Sequence, residues 1–457
     1  MFLLLLMVRL PFYFQGINTT LPDLNHFLIG ESLANGSSLY ISLWEDISPF
    51  SAWTYMLLHF LFGKSIWAYH TIGFLLMFFQ CLLFNAITYK NKLYNEGTYV
   101  PAIVYGLLMS ISSGMYSLSP ILMSSTFILL ALNNIFRQVE FRMKSDEPIL
   151  GIGIYLGVAA LFYLPAAIFG LIALIILAFF SSTIGRRYVL VFFGFALPLL
   201  LVICYFYFID GVASAWSIVA TKIFNPNKFD YLSYQSILLI LAIPLLYFIF
   251  SIVRIVQKNR FSNYQLRLIQ LVIVWMLMSL FLMIWMEKLV TSFIFFIPTF
   301  AIIITHYFLL IKNRLKAEML FSLFMIGVLC LNLAMQYNWF SVNTYIDNSH
   351  EQLLSTPYDD KVADKRILVL GDNLHIYKNA SLATPFLDWQ LSSETLKEPN
   401  YYGKSARIYL GFTDQNPPEI IIDLENCMPK LQKNILFIQD NYVRTEANVY
   451  RLKQGTN

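Results

Sequence analysis

Residues 149 to 182 read ILGIGIYLGVAALFYLPAAIFGLIALIILAFFSS, and no charged side chain interrupts the chain from Pro148 to Gly185. At 1.5 Å of helix rise per residue this stretch is longer than one crossing of a hydrocarbon layer roughly 30 Å thick requires. Pro165, which has no N–H to donate and clashes with the preceding turn, divides it into two short helices. The flanks are Asp146-Glu147 on one side and Arg186-Arg187 on the other, so the stretch enters and leaves the apolar phase between charged ends. The rest of the chain agrees, with 58% apolar and only 13% charged residues, against about 25% charged in an average soluble domain. This is the composition of a polytopic helical membrane protein.

Charge is unevenly placed. The first 344 residues carry 12 acidic and 19 basic side chains, whereas the last 113 carry 15 and 12. The chain therefore divides into a membrane body, 1–342, and a small water-soluble domain, 343–457. In the body the basic residues cluster at Lys90/Lys92, Arg137/Arg142/Lys144, Arg186/Arg187, Arg254/Lys258/Arg260/Arg267 and Lys312/Arg314/Lys316. Placing these five clusters on the cytoplasmic face puts an even number of crossings between neighbours. The expected spans are an N-terminal helix up to about Tyr13, 66–88, a hairpin over 98–136 broken at Ser117-Leu118-Ser119-Pro120, the pair around Pro165, 188–208, 235–256, 268–286, 290–311 and 317–337, about eleven in all. An odd count with a cytoplasmic amino terminus sends the segment 15–65 and the C-terminal domain to the outer face of a cell inner membrane. The short outer loops then hold only Lys64, Lys222, Lys228 and Lys288.

Several function classes drop out. A net charge of +4, with its basic residues where topology puts them, leaves no stripe for nucleic acid. Cys81, Cys204 and Cys330 lie in apolar stretches and Cys427 stands alone in the soluble domain, so no disulfide framework exists there. Cys-x-x-Cys and His-x-x-x-His are absent, and zinc has no support. In the soluble domain, Arg366 to Asp372 reads as a buried strand and turn, Glu419 to Leu424 as a second strand and Pro429 to Leu436 as a helix. Ile435 to Gln439 and Val449 to Leu452 read as further strands, giving a small α/β fold.

The segment 15–65 is too long for a simple connector. Leu21 to Ala34 sets Leu24, Phe27, Leu28 and Leu33 among Asp23, His26 and Glu31, the pattern of a helix lying in the membrane interface, and Ser48 to Phe62 reads as a second. Between them stand a turn, Asn35 to Tyr40, and Trp44-Glu45-Asp46-Ile47-Ser48-Pro49. With Phe62-Gly63-Lys64-Ser65-Ile66-Trp67-Ala68-Tyr69-His70 following, this order and spacing resembles the first outer loop of the GT-C glycosyltransferases, in the branch of protein O-mannosyltransferases and aminoarabinose transferases. That loop reads Asp-Glu-x-x-Tyr, then Gly-x-x-x-Tyr-x-Asp-x-Trp-Asp-x-Lys-Pro-Pro, then Phe-Gly-x-Ser-x-x-Ala-x-Arg. Here Leu24 replaces the acid after the first Asp, Ser42 the acid after the Tyr, Ile47 the Lys, Ser48 the first Pro and His70 the Arg.

The resemblance implies a GT-C-like fold, a lipid-linked sugar as donor and an extracytoplasmic protein or glycan as acceptor. It makes Asp23 the catalytic carboxylate, either as base toward the acceptor hydroxyl or as a helper in binding a divalent metal, and puts Arg9, Tyr40, Trp44, Glu45, Asp46 and His70 at the substrate. Asp23 read by itself is equally an N-terminal cap of the helix beginning near Leu24. Arg9, a charge inside a short apolar helix, is expected to face a protein interior or watery cavity, or to snorkel to the headgroups. Two functions follow: transfer of a sugar from a polyprenyl-phosphate donor, or a non-catalytic envelope scaffold of this fold whose C-terminal domain binds a partner.

Overall fold

In a computed structural model the described residues are 1–17, 19–141, 146–180, 185–224, 233–257, 263–285, 290–339, 341, 352–399, 402–413 and 417–453. Fourteen helices come first: α1 (Phe2–Gln15), α2 (Leu21–Ala34), α3 (Pro49–Phe62), α4 (Ile66–Lys90), α5 (Val100–Leu108), α6 (Pro120–Phe141), α7 (Glu147–Phe162), α8 (Ile168–Phe180), α9 (Gly185–Phe208), α10 (Val212–Phe224), α11 (Tyr234–Gln257), α12 (Asn263–Trp285), α13 (Ile297–Leu309) and α14 (Arg314–Gln336). Five short ones, α15 (Asp359–Val362), α16 (Trp389–Lys397), α17 (Tyr402–Thr413), α18 (Met428–Asn434) and α19 (Leu436–Asn441), accompany five strands: β1 (Arg366–Leu370), β2 (Ser381–Leu382), β3 (Ile420–Asp423), β4 (Tyr442–Glu446) and β5 (Val449–Leu452). Among the described residues, six helices are long and apolar enough to cross a membrane: α4, α6, α9, α11, α12 and α14. Shorter apolar helices include α1, α7, α8, α10 and α13.

Three boundaries differ from the sequence expectation. The hairpin over 98–136 has a first arm of only nine helical residues, α5, because Ser110, Ser112, Ser113 and Gly114 follow and hydroxyl side chains and glycine favour turns over continued helix. The stretch 290–311 starts as a 3-10 turn, Val290–Phe295, and becomes α-helical only at Ile297, where Pro298 sits in the first turn and costs no hydrogen bond. The region 210–234, between the expected spans 188–208 and 235–256, opens with helix α10. Its polar residues from Asn225 to Asp230, and Glu287-Lys288, lie outside the described residues.

The chain forms two compact units. The first comprises Met1–Ile17, Trp67–Val202 and Asn227–His350. Within it α7 and α9 cross at Gly153 and Gly194: a Cβ on Gly153 would stand 2.2 Å from the Val191 carbonyl oxygen, and one on Gly194 2.5 Å from that of Leu150. Small residues at such a crossing let two backbones approach where lipid offers no hydrophobic drive to bring helices together.

The second unit joins Asn18–Ile66, Ile203–Pro226 and Glu351–Asn457. Its sheet runs β2-β1-β3-β5-β4, with β1 parallel to β2 and β3, and β5 antiparallel to β3 and β4. The run 435–439, read from sequence as a strand, is instead helix α19. Ile435, Ile438 and Tyr442 are buried while Leu436 is exposed, a three-and-four spacing rather than alternation. The segment between α1 and α4 packs on this domain: Trp44 N–H donates to the Pro385 carbonyl at 2.7 Å, Asp388 N–H donates to the Trp44 carbonyl at 3.2 Å, and Lys64 Nζ reaches the Ala380 carbonyl at 3.2 Å. Thr20 bridges Gln352. Loop and C-terminal domain thus belong to one compact unit.

Helices α2 and α3 pair closely, since a Cβ on Gly30 would lie 2.6 Å from the Tyr55 carbonyl oxygen. Nearby His26 stacks on Tyr55 with ring centroids 4.3 Å apart, and its Nδ1 is shut off from solvent without a hydrogen-bond partner. Burial holds its imidazole down to about 3, whereas an unfolded histidine titrates near 6.5. Between those values the unfolded chain carries the extra proton. This group therefore leaves stability intact above pH 6.5 and lowers it as pH falls toward 3, by at most about 1.4 kcal/mol per pH unit. Melting temperatures recorded from pH 7 to pH 5 should fall, and His26→Phe, which keeps the stack, should flatten that fall; an unchanged slope would assign the dependence to other groups.

Candidate functional site

The sequence candidates fall into two groups, one in each unit. In the second unit Thr20, in extended conformation, caps α2, and Asp23 returns the bond. Thr20 N–H and Oγ1–H donate to Asp23 Oδ2 at 3.2 and 2.7 Å, and Asp23 N–H donates to Thr20 Oγ1 at 3.3 Å. This is a capping box, which satisfies amide groups that a helix start leaves bare. Asp23 is only 2% exposed. The N-cap is thus Thr20 and not Asp23, which one of the two sequence readings had placed there; Asp23 stands three residues in and closes the box, and a Thr three residues ahead of an acid at the head of a periodic run was the available signal.

Tyr40 stands at the end of the turn after α2 with φ 66°, a left-handed conformation uncommon for a bulky residue. Tyr40 N–H donates to the Leu43 carbonyl at 2.9 Å, and its hydroxyl donates to the Ile47 carbonyl at 2.7 Å. Burial, together with the neighbouring charges of Asp46 and Glu45, pushes its phenol upward, so it stays protonated and donating. Trp44 donates from Nε1 to the Ile41 carbonyl at 3.1 Å. Its ring meets Phe386 edge-on at 5.2 Å, and the Arg407 guanidinium lies 6.0 Å from the ring centroid. Tyr40 and Trp44 therefore brace the loop against itself and against the C-terminal domain.

Glu45 and Asp46 come together with Asp388, one carboxylate oxygen from each lying within 4.8 Å of the others. Asn25 Nδ2 donates to Glu45 Oε1 at 3.1 Å, and Asp388 Oδ1 caps α16 by accepting from the N–H groups of Gln390 and Leu391 at 2.7 and 3.2 Å. Three carboxylates form a hard oxygen set, the chemistry that suits Mg²⁺ or Ca²⁺. Nothing in the sequence ties Asp388 to residues so far upstream; the strand-like hydrogen bonds around Trp44 bring it there. Lys64 is paired with Glu31 at 2.9 Å.

Arg9 and His70 meet in the first unit. Arg9 is fully buried, its guanidinium 4.2 Å from the Tyr116 ring centroid and 5.4 Å from that of Phe74, and Nη2 donates to the Met109 carbonyl at 3.5 Å. His70, 3% exposed, stacks on Phe12 at 5.6 Å and meets Tyr13 edge-on. Phe12 and Tyr13 share a face of α1 with Arg9, and Phe74 lies one turn along α4 from His70. Arg9 thus faces the protein interior, the first of the two positions expected for it, and does not snorkel. Its cation lies against the face of α4 whose His70 takes the place of the motif arginine.

Two solved structures share this fold. ArnT from Cupriavidus metallidurans in the apo state superposes with a TM-score of 0.56 at 13% identity, covering 98% of this chain and 97% of that one. ArnT from the same organism bound to undecaprenyl phosphate gives 0.59 at 12% identity, over 100% and 99%. No protein-family model matches the chain, and no curated protein sequence does. The fold is that of a polytopic GT-C-like membrane protein with a small C-terminal α/β region.

Removing the Tyr40 hydroxyl should expose how much this brace carries. Tyr40→Phe leaves the buried Ile47 carbonyl short of a donor, at a cost of about 1–3 kcal/mol, and should lower the melting temperature without changing helix content by circular dichroism. A melting temperature equal to that of the unmodified chain would show that water or another donor replaces the phenol.

Proposed function

We propose that this protein is a membrane glycosyltransferase that moves a sugar from a polyprenyl-phosphate donor to a hydroxyl of an extracytoplasmic acceptor. The observation that carries the reading is likeness in fold over nearly the whole length of both chains, to a protein solved with undecaprenyl phosphate bound. In this reading the protein sits in the inner membrane with its amino terminus in the cytoplasm. The unit that holds the loop and the C-terminal domain faces outward, in keeping with the basic residues gathered on the opposite loops.

The acceptor oxygen attacks the anomeric carbon, the bond to the donor phosphate breaks, and the polyprenyl phosphate leaves with the bonding pair. Asp23 takes the acceptor proton. It is held at the start of α2 by the Thr20 N–H and Oγ1–H on Oδ2. Glu45, Asp46 and Asp388 are the residues that would hold a divalent cation, which when bound would supply positive charge toward a leaving phosphate.

A second reading, an envelope scaffold without catalysis, is favoured by one observation: Asp23, Tyr40 and Trp44 each have a structural task, as cap, brace and dock. Asp23→Asn separates the two. Asparagine still accepts from Thr20 but takes no proton, so in the transferase reading the rate from a polyprenyl-phosphate sugar in proteoliposomes should fall by about 10²- to 10⁴-fold while melting stays within about 1 kcal/mol. Unimpaired function in Asp23→Asn, together with its loss on deleting residues 352–457, would establish the scaffold.

A further inference from the structure

Thr20 gives Asp23 one hydrogen bond that helix α2 does not need. Two bonds complete the capping box, Asp23 N–H to Thr20 Oγ1 at 3.3 Å and Thr20 N–H to Asp23 Oδ2 at 3.2 Å, and each satisfies an amide at the helix start. The third and shortest, Thr20 Oγ1–H to Asp23 Oδ2 at 2.7 Å, joins two side chains and satisfies no main-chain group. The acid of such a box is usually Glu, or Gln takes its place. Asp is one methylene shorter, so its carboxylate stands closer to the main chain of Thr20 and has less freedom to turn.

Thr20 is itself held from the other side. Its backbone is extended, φ −88° and ψ 165°, and pairs as an antiparallel bridge with Gln352. Two residues further on, Leu354 N–H donates to His375 Nδ1 at 3.3 Å, which ties that segment to the 3-10 turn Leu374–Asn379 of the α/β domain. Ser, Asn and Asp cap a helix at least as well as Thr does. Thr adds branching at Cβ, which stiffens χ1 and suits a strand-like pairing, to a hydroxyl that can donate.

We propose that Thr20 is a positioning residue for Asp23: it holds the carboxylate by Oδ2 in one orientation toward the acceptor hydroxyl, and its pairing with Gln352 makes the α/β domain a support of that orientation. The role rests on the transferase reading in taking Asp23 as the base that receives the acceptor proton. A base fixed before the acceptor arrives has no further freedom to lose in the reacting complex.

The test uses the full chain in proteoliposomes with two donor probes, undecaprenyl phosphate carrying mannose or aminoarabinose, and a membrane extract as the source of acceptors. Turnover is read as release of undecaprenyl phosphate. Thr20→Val, which keeps the shape and loses the donor, should lower kcat about 10- to 100-fold, the worth of a hydrogen bond to a charged group, with the donor KM unchanged. Thr20→Ser should restore most of it. Thr20→Gly, which removes the hydroxyl while nearly keeping the stability of the helix start, should be as slow as Thr20→Val, so that slowness is not a folding defect. Gln352→Pro, which takes an N–H from the paired segment, should lower kcat in the same sense. An infrared readout needs no turnover: the protonated-carboxyl band that Asp23→Asn abolishes should appear at higher pH in Thr20→Val and return in Thr20→Ser, since a donor to a carboxylate favours its charged form. Full kcat in Thr20→Val, or an Asp23 band with the same midpoint, or none, in that variant and the unmodified chain alike, overturns the proposal. Full kcat in Gln352→Pro overturns the share given to the α/β domain. A shifted band in a chain that uses neither donor would sink the transferase reading and leave the hold of Thr20 on Asp23 standing.

Discussion

Trp44 is held at both ends of its own residue by the C-terminal domain, its N–H on the Pro385 carbonyl and its carbonyl on the Asp388 N–H. These two bonds pair an irregular loop with an irregular segment as two strands would pair, and the ring against Phe386 seals the junction. Much else in that unit depends on the junction. It holds Glu45 and Asp46 where Asp388 can approach, and it sets the register of the bridge from Thr20 to Gln352 and of the Lys64 contact with Ala380. Without it nothing would bring Asp388 to the neighbouring pair Glu45 and Asp46.

Motif residues here carry structural and chemical roles at once. Asp23 closes a capping box, and Tyr40 accepts a left-handed backbone that its two hydrogen bonds maintain. Such double use has a physical basis, because a carboxylate held by fixed amides is pre-oriented and cannot swing away. In the membrane body the reverse holds. Arg9 has more donors than its neighbours use, and its aromatic box satisfies the faces of the guanidinium but not its edges. Structural need alone would be met as well by an apolar side chain of similar volume.

Which parts of this were legible beforehand follows from the range of the forces involved. The bilayer leaves backbone groups no partner outside the chain, so apolar length and flanking charge mark helices directly. The two helices around Pro165, α9, α11 and α14 lie within a few residues of where charge placed them. Local periodicity also delivered α2, α3, β1, β3 and β5. It misread 435–439, where a short apolar run is compatible with either period and only packing against the core of the α/β domain selects the helix. It also overran α5, because serines and a glycine that look tolerable in an apolar run favour a turn over continued helix.

By itself the sequence determined the apolar helices, the small C-terminal α/β fold and the helices α2 and α3, because hydropathy, charge and helical periodicity act over a few residues. Tertiary structure alone decided the groupings. It joined Asp388 to Glu45 and Asp46 across more than 300 positions of chain, gave Asp23 to Thr20, and set Arg9 beside His70 with hydrogen-bond capacity to spare. Those are matters of which surfaces meet, and burial and long-range hydrogen bonding, unlike periodicity, leave no mark at any fixed spacing along the chain.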